Sequence, residues 1–196
     1  MDLGGGACDA PPMAETRDDK LADAALKLLA KAGWRDLALA DVTRAAKVPL
    51  TSLQDLRGGK SALIGAILRK IGAETAKRYK PESDVARDRL FDVAMAWFEV
   101  NAKRKSAIGS LYDGLKYDPI TLIEQRGAFV SAAQWLMTLA EADKGPALQL
   151  RAVAFGAMIA RAIPVWLEDD AELTNTMAQL DRDLSRADSF TKKRER

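Results

Sequence analysis

The sequence predicts an all-α protein of about nine helices, arranged as an N-terminal three-helix domain followed by a helical bundle. Apolar residues recur at the three- and four-residue spacing of amphipathic helices along most of the chain. No segment alternates between polar and apolar residues with the period of two that marks a half-buried strand. With 196 residues, 48% of them apolar and 30% charged, the chain is long enough for one or two cores and is not of disordered or fibrous composition.

The first helix is predicted over residues 17–32. Residues 1–16 contain three consecutive glycines, two prolines and few apolar side chains, so we expect a flexible arm outside the fold. From Thr16 onward the apolar spacing is helical, and Gly33 stands where a glycine commonly ends a helix. The folded part of the chain is therefore expected to begin at about residue 17.

Two short helices are predicted next, on either side of a tight turn. They span residues 40–46 and 50–56, and the turn is the Lys-Val-Pro sequence at 47–49. Residues 17–80, which contain this helix-turn-helix, hold fourteen Lys and Arg against seven Asp and Glu, whereas the whole chain has a net charge of only +2. A basic face on such a unit is typical of a protein that binds a polyanion.

The rest of the chain is predicted to form longer helices separated by glycine, proline and acidic residues. A break at residues 58–59 precedes them, and Pro119, Pro146 and the acidic run 168–170 divide them. The apolar period predicts helices over 60–80, 85–102, 107–116, 119–142, 147–167 and 171–187. Beyond residue 80 the charges nearly balance, so this part is expected to be a neutral helical bundle.

The chain contains no histidine and a single cysteine, Cys8. This composition excludes histidine-dependent nucleophiles, the histidine general base, most zinc or iron sites and any intramolecular disulfide. We expect no enzymatic activity, no cofactor and no metal. The N-terminal segment lacks a signal pattern, and the longest apolar stretch, residues 152–160, is too short to span a bilayer. A cytoplasmic protein without membrane insertion is therefore predicted.

A continuous series of motifs within residues 17–72 resembles a known family. The motifs are Leu21-x3-Ala25-x2-Leu28-x3-Ala32-Gly33-Trp34, Leu39-Ala40-Asp41-Val42-x2-Ala45-Ala46-x-Val48, Leu53 and Lys60-Ser61-Ala62-Leu63-Ile64. In this order and spacing they resemble the N-terminal domain of TetR-type bacterial transcriptional regulators. The resemblance implies a helix-turn-helix DNA-binding domain over 17–62 and a ligand-binding and dimerisation bundle over 63–188, with 189–196 as a basic tail. The implied partners are double-stranded DNA, a small apolar effector and a second copy of the chain.

Within the helix-turn-helix, small apolar residues such as Val42 and Ala46 let the two short helices cross closely, which leaves the polar residues available to DNA. The candidate DNA-contacting residues are Thr43, Arg44, Lys47, Leu50, Thr51, Ser52, Gln54, Asp55 and Lys60. For Lys60 the resemblance implies contact with a phosphate, and the N-terminus of a helix favours anions by itself.

Three positions depart from the family pattern. Lys47 stands where the turn glycine is usual, Ala38 replaces a Ser or Thr cap, and residues 53–57 lack the usual Leu-Tyr-x-x-Phe run. A non-glycine residue at a positive φ costs about 1 kcal/mol, and the missing tyrosine removes a phosphate donor. A protein of this fold that has lost operator recognition is therefore the alternative.

The bundle concentrates aromatic and methionine side chains, which form either its core or the lining of a ligand cavity. The resemblance implies an inducer pocket in this part of the chain. The candidate pocket residues are Met95, Phe98, Tyr112, Phe129, Trp135 and Met158. Core packing alone is the alternative for these residues.

Two predicted helices carry stripes that suit a dimer interface. Small residues four positions apart on the first allow close approach of another helix, and apolar residues at 4-3-4 spacing follow on the second. The candidate interface residues are Ala152, Gly156, Ala160, Leu173, Met177, Leu180 and Leu184. They predict a four-helix interface across a two-fold axis, with packing inside one chain as the alternative.

Residues 165–184 carry a second, shorter resemblance. The stretch Val165-Trp166-Leu167-Glu168-Asp169-Asp170 and the pattern Thr176-Met177-Ala178-x-Leu180-Asp181-x2-Leu184 resemble the end of the lipid-binding ubiquinone-biosynthesis accessory protein of mitochondria and α-proteobacteria. Those proteins share the TetR fold without acting as repressors. This resemblance implies an alternative function, a lipid or isoprenoid carrier that does not bind DNA.

Overall fold

The structure, a computed structural model, describes residues 16–53 and 58–194, with their side chains except those of Ser52 and residues 188–194. Within these ranges it is all-α, as predicted. Its helices are α1 (Arg17–Leu29), α2 (Leu39–Ala46), α3 (Ala62–Arg78), α4 (Ala86–Val100), α5 (Lys105–Lys116), α6 (Pro119–Leu139), α7 (Leu148–Glu168) and α8 (Thr174–Arg194). Short 3-10 turns occur at Leu50–Leu53, Gly59–Ser61 and Ala102–Arg104. Eight α-helices are thus described where about nine were predicted, because the predicted helix 50–56 is a 3-10 turn as far as residue 53.

A capping box begins α1. The Thr16 hydroxyl accepts a hydrogen bond from the Asp19 backbone N–H at 3.2 Å, and the Asp19 carboxylate accepts one from the Thr16 N–H at 3.1 Å. These bonds satisfy backbone groups that have no partner inside the helix. The remainder of the predicted arm, residues 1–15, lies outside the described residues.

The end of α1 differs from the prediction. The helix stops at Leu29 rather than residue 32, and the Ala30 N–H closes it by donating to the Leu26 carbonyl at 3.2 Å. Gly33 does not have the positive φ of a helix-ending glycine, so that expectation was wrong. The chain leaves the helix through a turn instead, in which the Ala32 N–H donates to the Leu28 carbonyl at 2.8 Å.

Left-handed residues set two other boundaries. α6 ends at Leu139, before residue 142, because Glu141 has a φ of +50°. α8 begins at Thr174, after residue 171, because Leu173 has a φ of +57°. Its backbone is helical as far as Arg194, so the described part of the predicted basic tail extends the last helix.

Helix α3 lies at the centre of the molecule and packs against α1, α4 and α6. Its buried residues include Leu63, Ile64, Ile67 and Ile71, all at most 1% exposed, which form the apolar face that the sequence predicted. We call residues 16–61 the head and residues 62–194 the bundle. Because α3 contacts helices of both parts, one continuous core joins the head to the bundle.

A partly buried ionic network also crosses this junction. The Arg104 guanidinium contacts both carboxylate oxygens of Glu74, at 2.6 and 2.9 Å. Lys70 lies 3.0 Å from Asp23 and 3.7 Å from Glu74. The network therefore ties α1 and α3 to the start of α5, in the two-pronged geometry that makes arginine–carboxylate pairs specific.

An aromatic cluster lies between α4 and α7 in the bundle. Trp97 and Phe98 meet edge to face with their ring centres 5.0 Å apart, and Trp166 lies 5.5 Å from Phe98. Phe98 and Trp166 have no measurable exposure. The cluster packs α4 against α7.

Candidate functional site

The helix-turn-helix is built around a strained residue. Lys47 has φ 55° and ψ 39°, the left-handed conformation, and its N–H donates to the Arg44 carbonyl at 3.3 Å. The next N–H, of Val48, donates to the Thr43 carbonyl at 3.0 Å. The turn therefore needs the backbone conformation that glycine adopts freely, and lysine takes it at a cost of about 1 kcal/mol.

The candidate DNA-contacting residues fall into exposed and buried groups. Arg44, Lys47, Leu50 and Thr51 are exposed, and the Arg44 guanidinium lies 2.7 Å from the Asp41 carboxylate. Thr43 is 4% exposed, and its hydroxyl donates to a backbone carbonyl of its own helix. Gln54, Asp55 and the side chain of Ser52 lie outside the described residues. The exposed group forms one edge of the head, which is the surface available to a polyanion.

Lys60 connects the 3-10 turn before α3 to the segment between α1 and α2. Its ammonium group donates to the Trp34 carbonyl at 2.8 Å and lies 4.7 Å from the centre of the Trp34 ring. A second, longer bond reaches the Arg35 carbonyl at 3.4 Å. In this structure Lys60 thus fixes the connection between α1 and α2, and phosphate contact at this position stays a prediction.

Trp34 joins the head to the α5–α6 corner of the bundle. Its side chain is 1% exposed, and its indole N–H donates to the Asp118 carboxylate at 3.2 Å. A Cβ atom on Gly114 would overlap the Trp34 side chain, so only glycine permits this approach. Trp34 is therefore held against the corner between α5 and α6.

A second contact lies one turn further along α6. The Ser61 hydroxyl donates to the Glu124 carboxylate at 2.9 Å and accepts from the Gln125 amide at 3.1 Å. Ser61 is 4% exposed and stands directly before α3. The N-terminal part of α6 therefore holds both the α1–α2 connection and the start of α3.

Asp118 is a hydrogen-bond acceptor for three groups at this corner. The carboxylate accepts from the backbone N–H of Thr121 at 3.1 Å, from the Thr121 hydroxyl at 2.7 Å and from the Trp34 indole. These bonds, of which the one from the Thr121 backbone contributes most, lower the pKa of Asp118 below its usual 3.8. The residue is therefore ionised at neutral pH and caps α6 while it orients Trp34.

An apolar cleft of about 530 Å³ lies between α5, α6 and α7, with α3 at its base. This volume is within the range of about 300–1,000 Å³ found for small-molecule sites. Ile71, Leu111, Phe129, Leu136 and Ile159 are among its lining residues. The cleft opens to solvent along α7, where Val153 is 50% exposed. The bundle therefore has room for a ligand at the helices that hold the head.

Four side chains with polar groups line the cleft: Trp97, Tyr112, Lys116 and Arg126. The Lys116 ammonium lies 2.9 Å from the Asp113 carboxylate and 4.6 Å from the centre of the Tyr112 ring. The hydrogen bond to Asp113 is the main reason why the pKa of Lys116 is raised. Arg126 donates to the Ile123 carbonyl at 2.9 Å and has no carboxylate partner within the described part of the chain. The charged groups of the lining are thus both cationic.

Two of the six candidate pocket residues line this cleft, namely Tyr112 and Phe129. Phe98 belongs to the aromatic cluster, while Met95 and Met158 are half-buried against the core. Trp135 is 45% exposed and lies on α6 over Gly72, where its indole N–H donates to the Gly72 carbonyl at 3.0 Å. The structure therefore brings only part of the predicted set together.

Neither cation of the cleft was predicted from the sequence. Arg126 interrupts an apolar stripe at helical spacing, Leu122-x3-Arg126-x2-Phe129-Val130-x2-Ala133, and all members of this stripe line the cleft. Lys116 likewise follows Ile108, Leu111 and Leu115 on the lining face of α5. A single cation on an otherwise apolar helix face is the signal that could have found them.

The candidate dimer residues are also divided between two environments. Ala152, Leu173, Leu180 and Leu184 are buried within their own chain, where α8 packs against α7 and α4. Gly156 faces α6, because its added Cβ would lie 3.3 Å from Ala133. Ala160 is exposed, and Met177 is partly so. The α7 surface around Ala160 is therefore the part of the predicted interface that a second chain can reach.

Helix α7 is apolar around much of its circumference. By length and composition, Leu148–Glu168 would suffice to cross a membrane, and 28% of its most apolar window is buried in the fold. The apolar segment is thus longer than residues 152–160, which the sequence predicted to be too short to span a bilayer. It contains Arg151 and Arg161 and packs between α6 and α8. This arrangement explains its composition, because α7 contributes to the core, the cleft and an exposed apolar surface at once.

No protein-family model and no curated protein matches this chain, whereas several solved structures have a similar fold. A TetR transcriptional regulator from Rhodococcus sp. RHA1 is 14% identical, with 86% of this chain and 94% of that chain covered at a TM-score of 0.62. The TetR transcriptional regulator from Nitrosomonas europaea is 19% identical, with coverage of 88% and 98% and a TM-score of 0.59. A TetR-family regulator from Streptomyces coelicolor is 16% identical, with coverage of 86% and 77% and a TM-score of 0.50. The second, C-terminal resemblance has no counterpart among these three structures. The chain therefore has the TetR-type fold, as the motifs of its first 72 residues predicted.

Proposed function

We propose that this protein is a homodimeric, ligand-responsive transcriptional regulator that binds a pseudo-palindromic operator through its helix-turn-helix. The observation that carries the proposal is the exposed edge of the head, where Arg44, Lys47, Leu50 and Thr51 stand beside a left-handed turn. Cations at this edge suit phosphates, and the hydroxyl and leucine suit base edges and thymine methyl groups. No enzymatic step is part of this role, which we place in the cytoplasm.

The net charge of the N-terminal part of the chain, which comprises the head and α3, supports a nucleic acid partner. Residues 17–80 hold fourteen basic and seven acidic residues, while the chain as a whole is almost neutral. Of the exposed residues at the edge, Arg44 is paired with Asp41, whereas no carboxylate pairs with Lys47 among the described residues. Lys47 is therefore the cation best placed to displace counterions from DNA.

A dimer would bring two heads to one face of DNA. The exposed part of α7 carries small side chains at Ala154, Ala157 and Ala160, which leave room for a second α7 to approach closely. Ala157 and Ala160 also line the cleft, so such a second helix would cover part of its open side. In such a dimer the two heads would enter major grooves about 34 Å apart. The operator would then be a pseudo-palindrome with half-sites about ten base pairs apart.

The cleft provides the ligand response. Tyr112 and Leu122 line it on either side of the α5–α6 corner, and that corner holds Trp34 through Asp118. A ligand that favours one position of α6 would therefore bias the spacing of the heads. To reverse a 99:1 preference it must bind the two states with a difference of about 5.5 kcal/mol.

The test is a selection of bound duplexes from random DNA by the purified protein at moderate salt, followed by sequencing. Enrichment of a pseudo-palindrome with half-sites about ten base pairs apart would support the dimeric regulator. Absence of enrichment by protein that is folded by circular dichroism would contradict it. The mass of the protein in solution, measured by light scattering, checks the dimer independently.

The alternative of a lipid or isoprenoid carrier is favoured by one observation, the apolar lining of the cleft. A carrier needs this cleft but does not need the cationic edge of the head. Native mass spectrometry that finds a co-purified apolar molecule, together with no duplex enrichment, would favour the carrier over the regulator.

A further inference from the structure

The cleft has a polar end and an apolar end. Helices α6 and α7 run in opposite directions across it, because Gly156 of α7 faces Ala133 of α6 and a short connection joins the two helices. Leu136 and Val153 therefore lie near one end of the cleft, and Arg126 lies near the other with Ile163. Lys116 belongs to this second end, because only two residues separate α5 from α6.

The charges at the polar end have one sign. Arg126 and Lys116 are the charged residues of the lining, and no Asp or Glu contributes to it within the described residues. Lys116 is already paired with Asp113, but the Arg126 guanidinium bonds only to a backbone carbonyl of its own helix. The guanidinium therefore has donors left for an oxyanion in the geometry that arginine offers to carboxylates.

We infer that the cleft binds a single-chain amphipathic carboxylate, with its carboxylate at Arg126 and its hydrocarbon chain along α6 and α7 toward Leu136. This inference rests on the proposal that the cleft is the ligand site, and it adds the chemical class of the ligand. A neutral hydrocarbon would leave Arg126 without an anion, and a cationic amphiphile would be repelled by Arg126, because the charge of Lys116 is already balanced by Asp113. The apolar walls supply affinity through burial of the chain, while Arg126 supplies selectivity for the headgroup.

Three probes with the same chain and different headgroups test the inference: laurate, dodecanol and dodecylammonium, each below the concentration at which it aggregates. Isothermal titration calorimetry on the full chain measures their dissociation constants. We expect laurate to bind about tenfold more tightly than dodecanol, and dodecylammonium more weakly than either. Equal affinity for laurate and dodecanol, or no binding of any probe, would overturn the inference without the need for a variant.

Arg126→Gln identifies the residue responsible. Arg126 is exposed, so its removal leaves the fold intact, and we expect the advantage of laurate over dodecanol to disappear while dodecanol affinity is unchanged. Arg182→Gln is the matched control, because Arg182 is also an exposed arginine that bonds only three residues back along its own helix, to Gln179. Full laurate selectivity in the Arg126 variant, or an equal loss in the Arg182 variant, would overturn the assignment.

Duplex binding, measured on the same preparations, separates the inference from the proposed function. If laurate binds through Arg126 but the protein enriches no duplex, the ligand class stands and the regulator proposal fails. If the protein binds a pseudo-palindrome but does not distinguish laurate from dodecanol, the regulator stands and the ligand class is overturned.

Discussion

The head and the bundle bury their apolar residues to different degrees. In the head, Leu21, Ala25 and Leu29 of α1 are at most 1% exposed, and one large apolar residue, Leu50, stands out at 55%. The bundle instead exposes several large apolar side chains, among them Tyr117, Ile120, Ile123, Trp135, Leu150 and Val153. The head is thus a closed core whose exposed helix-turn-helix edge carries the cations Arg44 and Lys47, whereas the bundle keeps apolar surface in reach of other molecules. The difference indicates that the two parts address partners of different chemistry.

The largest effect is expected where these two parts meet. Trp34→Ala removes a side chain that is 1% exposed and leaves a cavity between α1, the α5–α6 corner and Lys60. We expect a loss of about 3–5 kcal/mol in the free energy of unfolding. Chemical denaturation followed by circular dichroism measures it.

Trp135→Ala is the matched control for this change. Trp135 is 45% exposed and makes a single hydrogen bond, to the Gly72 carbonyl, so its loss should cost about 1–2 kcal/mol. Equal destabilisation by the two variants would show that the head–bundle junction is not the stronger of the two contacts.

A smaller effect is expected from the ionisation of Asp118. Because its pKa is lowered in the folded protein, its contribution to stability is complete above its usual pKa of 3.8 and is lost as the pH falls through the lower, folded value. Asp118→Asn removes this contribution, so stability should fall less steeply with acid in the variant than in the wild type. Urea midpoints measured between about pH 2 and pH 6 test this, and parallel curves for the two proteins would contradict it.

How much the sequence could predict depended on the distance between partners along the chain. The apolar face of α3 was predicted because Leu63, Ile64, Ile67 and Ile71 repeat at helical spacing, which is local information. The hydrogen bond from Lys60 to Trp34 was not predicted, because its acceptor is a backbone carbonyl 26 residues earlier in the chain. The helix period identified the fold class for the same local reason, and it could not place contacts between distant segments.

The candidate interface and pocket residues show a second reason why some contacts could not be predicted from the sequence. The stripe that includes Leu180 and Leu184 correctly indicated a buried helix face, but an amphipathic pattern does not say whether its own chain or a second chain covers it. Aromatic and methionine residues were likewise expected in the pocket, yet Phe98 lies in the aromatic cluster. Which apolar residues line a cavity depends on where the packed helices leave a gap. The apolar period of each helix carries no information about the position of such a gap.

The smallest effect is expected at the strained turn of the head. Lys47→Gly relieves a left-handed lysine and should raise the free energy of unfolding by up to about 1 kcal/mol. Ala45→Gly, two residues earlier within α2, should lower it by a similar amount, because glycine there only weakens the helix. Thermal unfolding compares the two variants, and a loss of stability in both would contradict the positive φ of Lys47.

The central claim, that the cationic edge of the head binds DNA, is tested most directly by the salt dependence of duplex affinity. Lys47→Asn replaces the cation, for which the described residues offer no carboxylate partner, by a residue that tolerates the left-handed conformation, and Lys144→Asn removes an exposed lysine from the α6–α7 loop. Fluorescence anisotropy of a labelled duplex gives the association constant at several salt concentrations. The account predicts that log K falls linearly with log salt concentration. The slope should be smaller in the Lys47 variant, by about 0.9 for each phosphate that it no longer neutralises, and unchanged in the Lys144 variant. Identical slopes for wild type and the Lys47 variant, or no duplex binding at low salt, would contradict it.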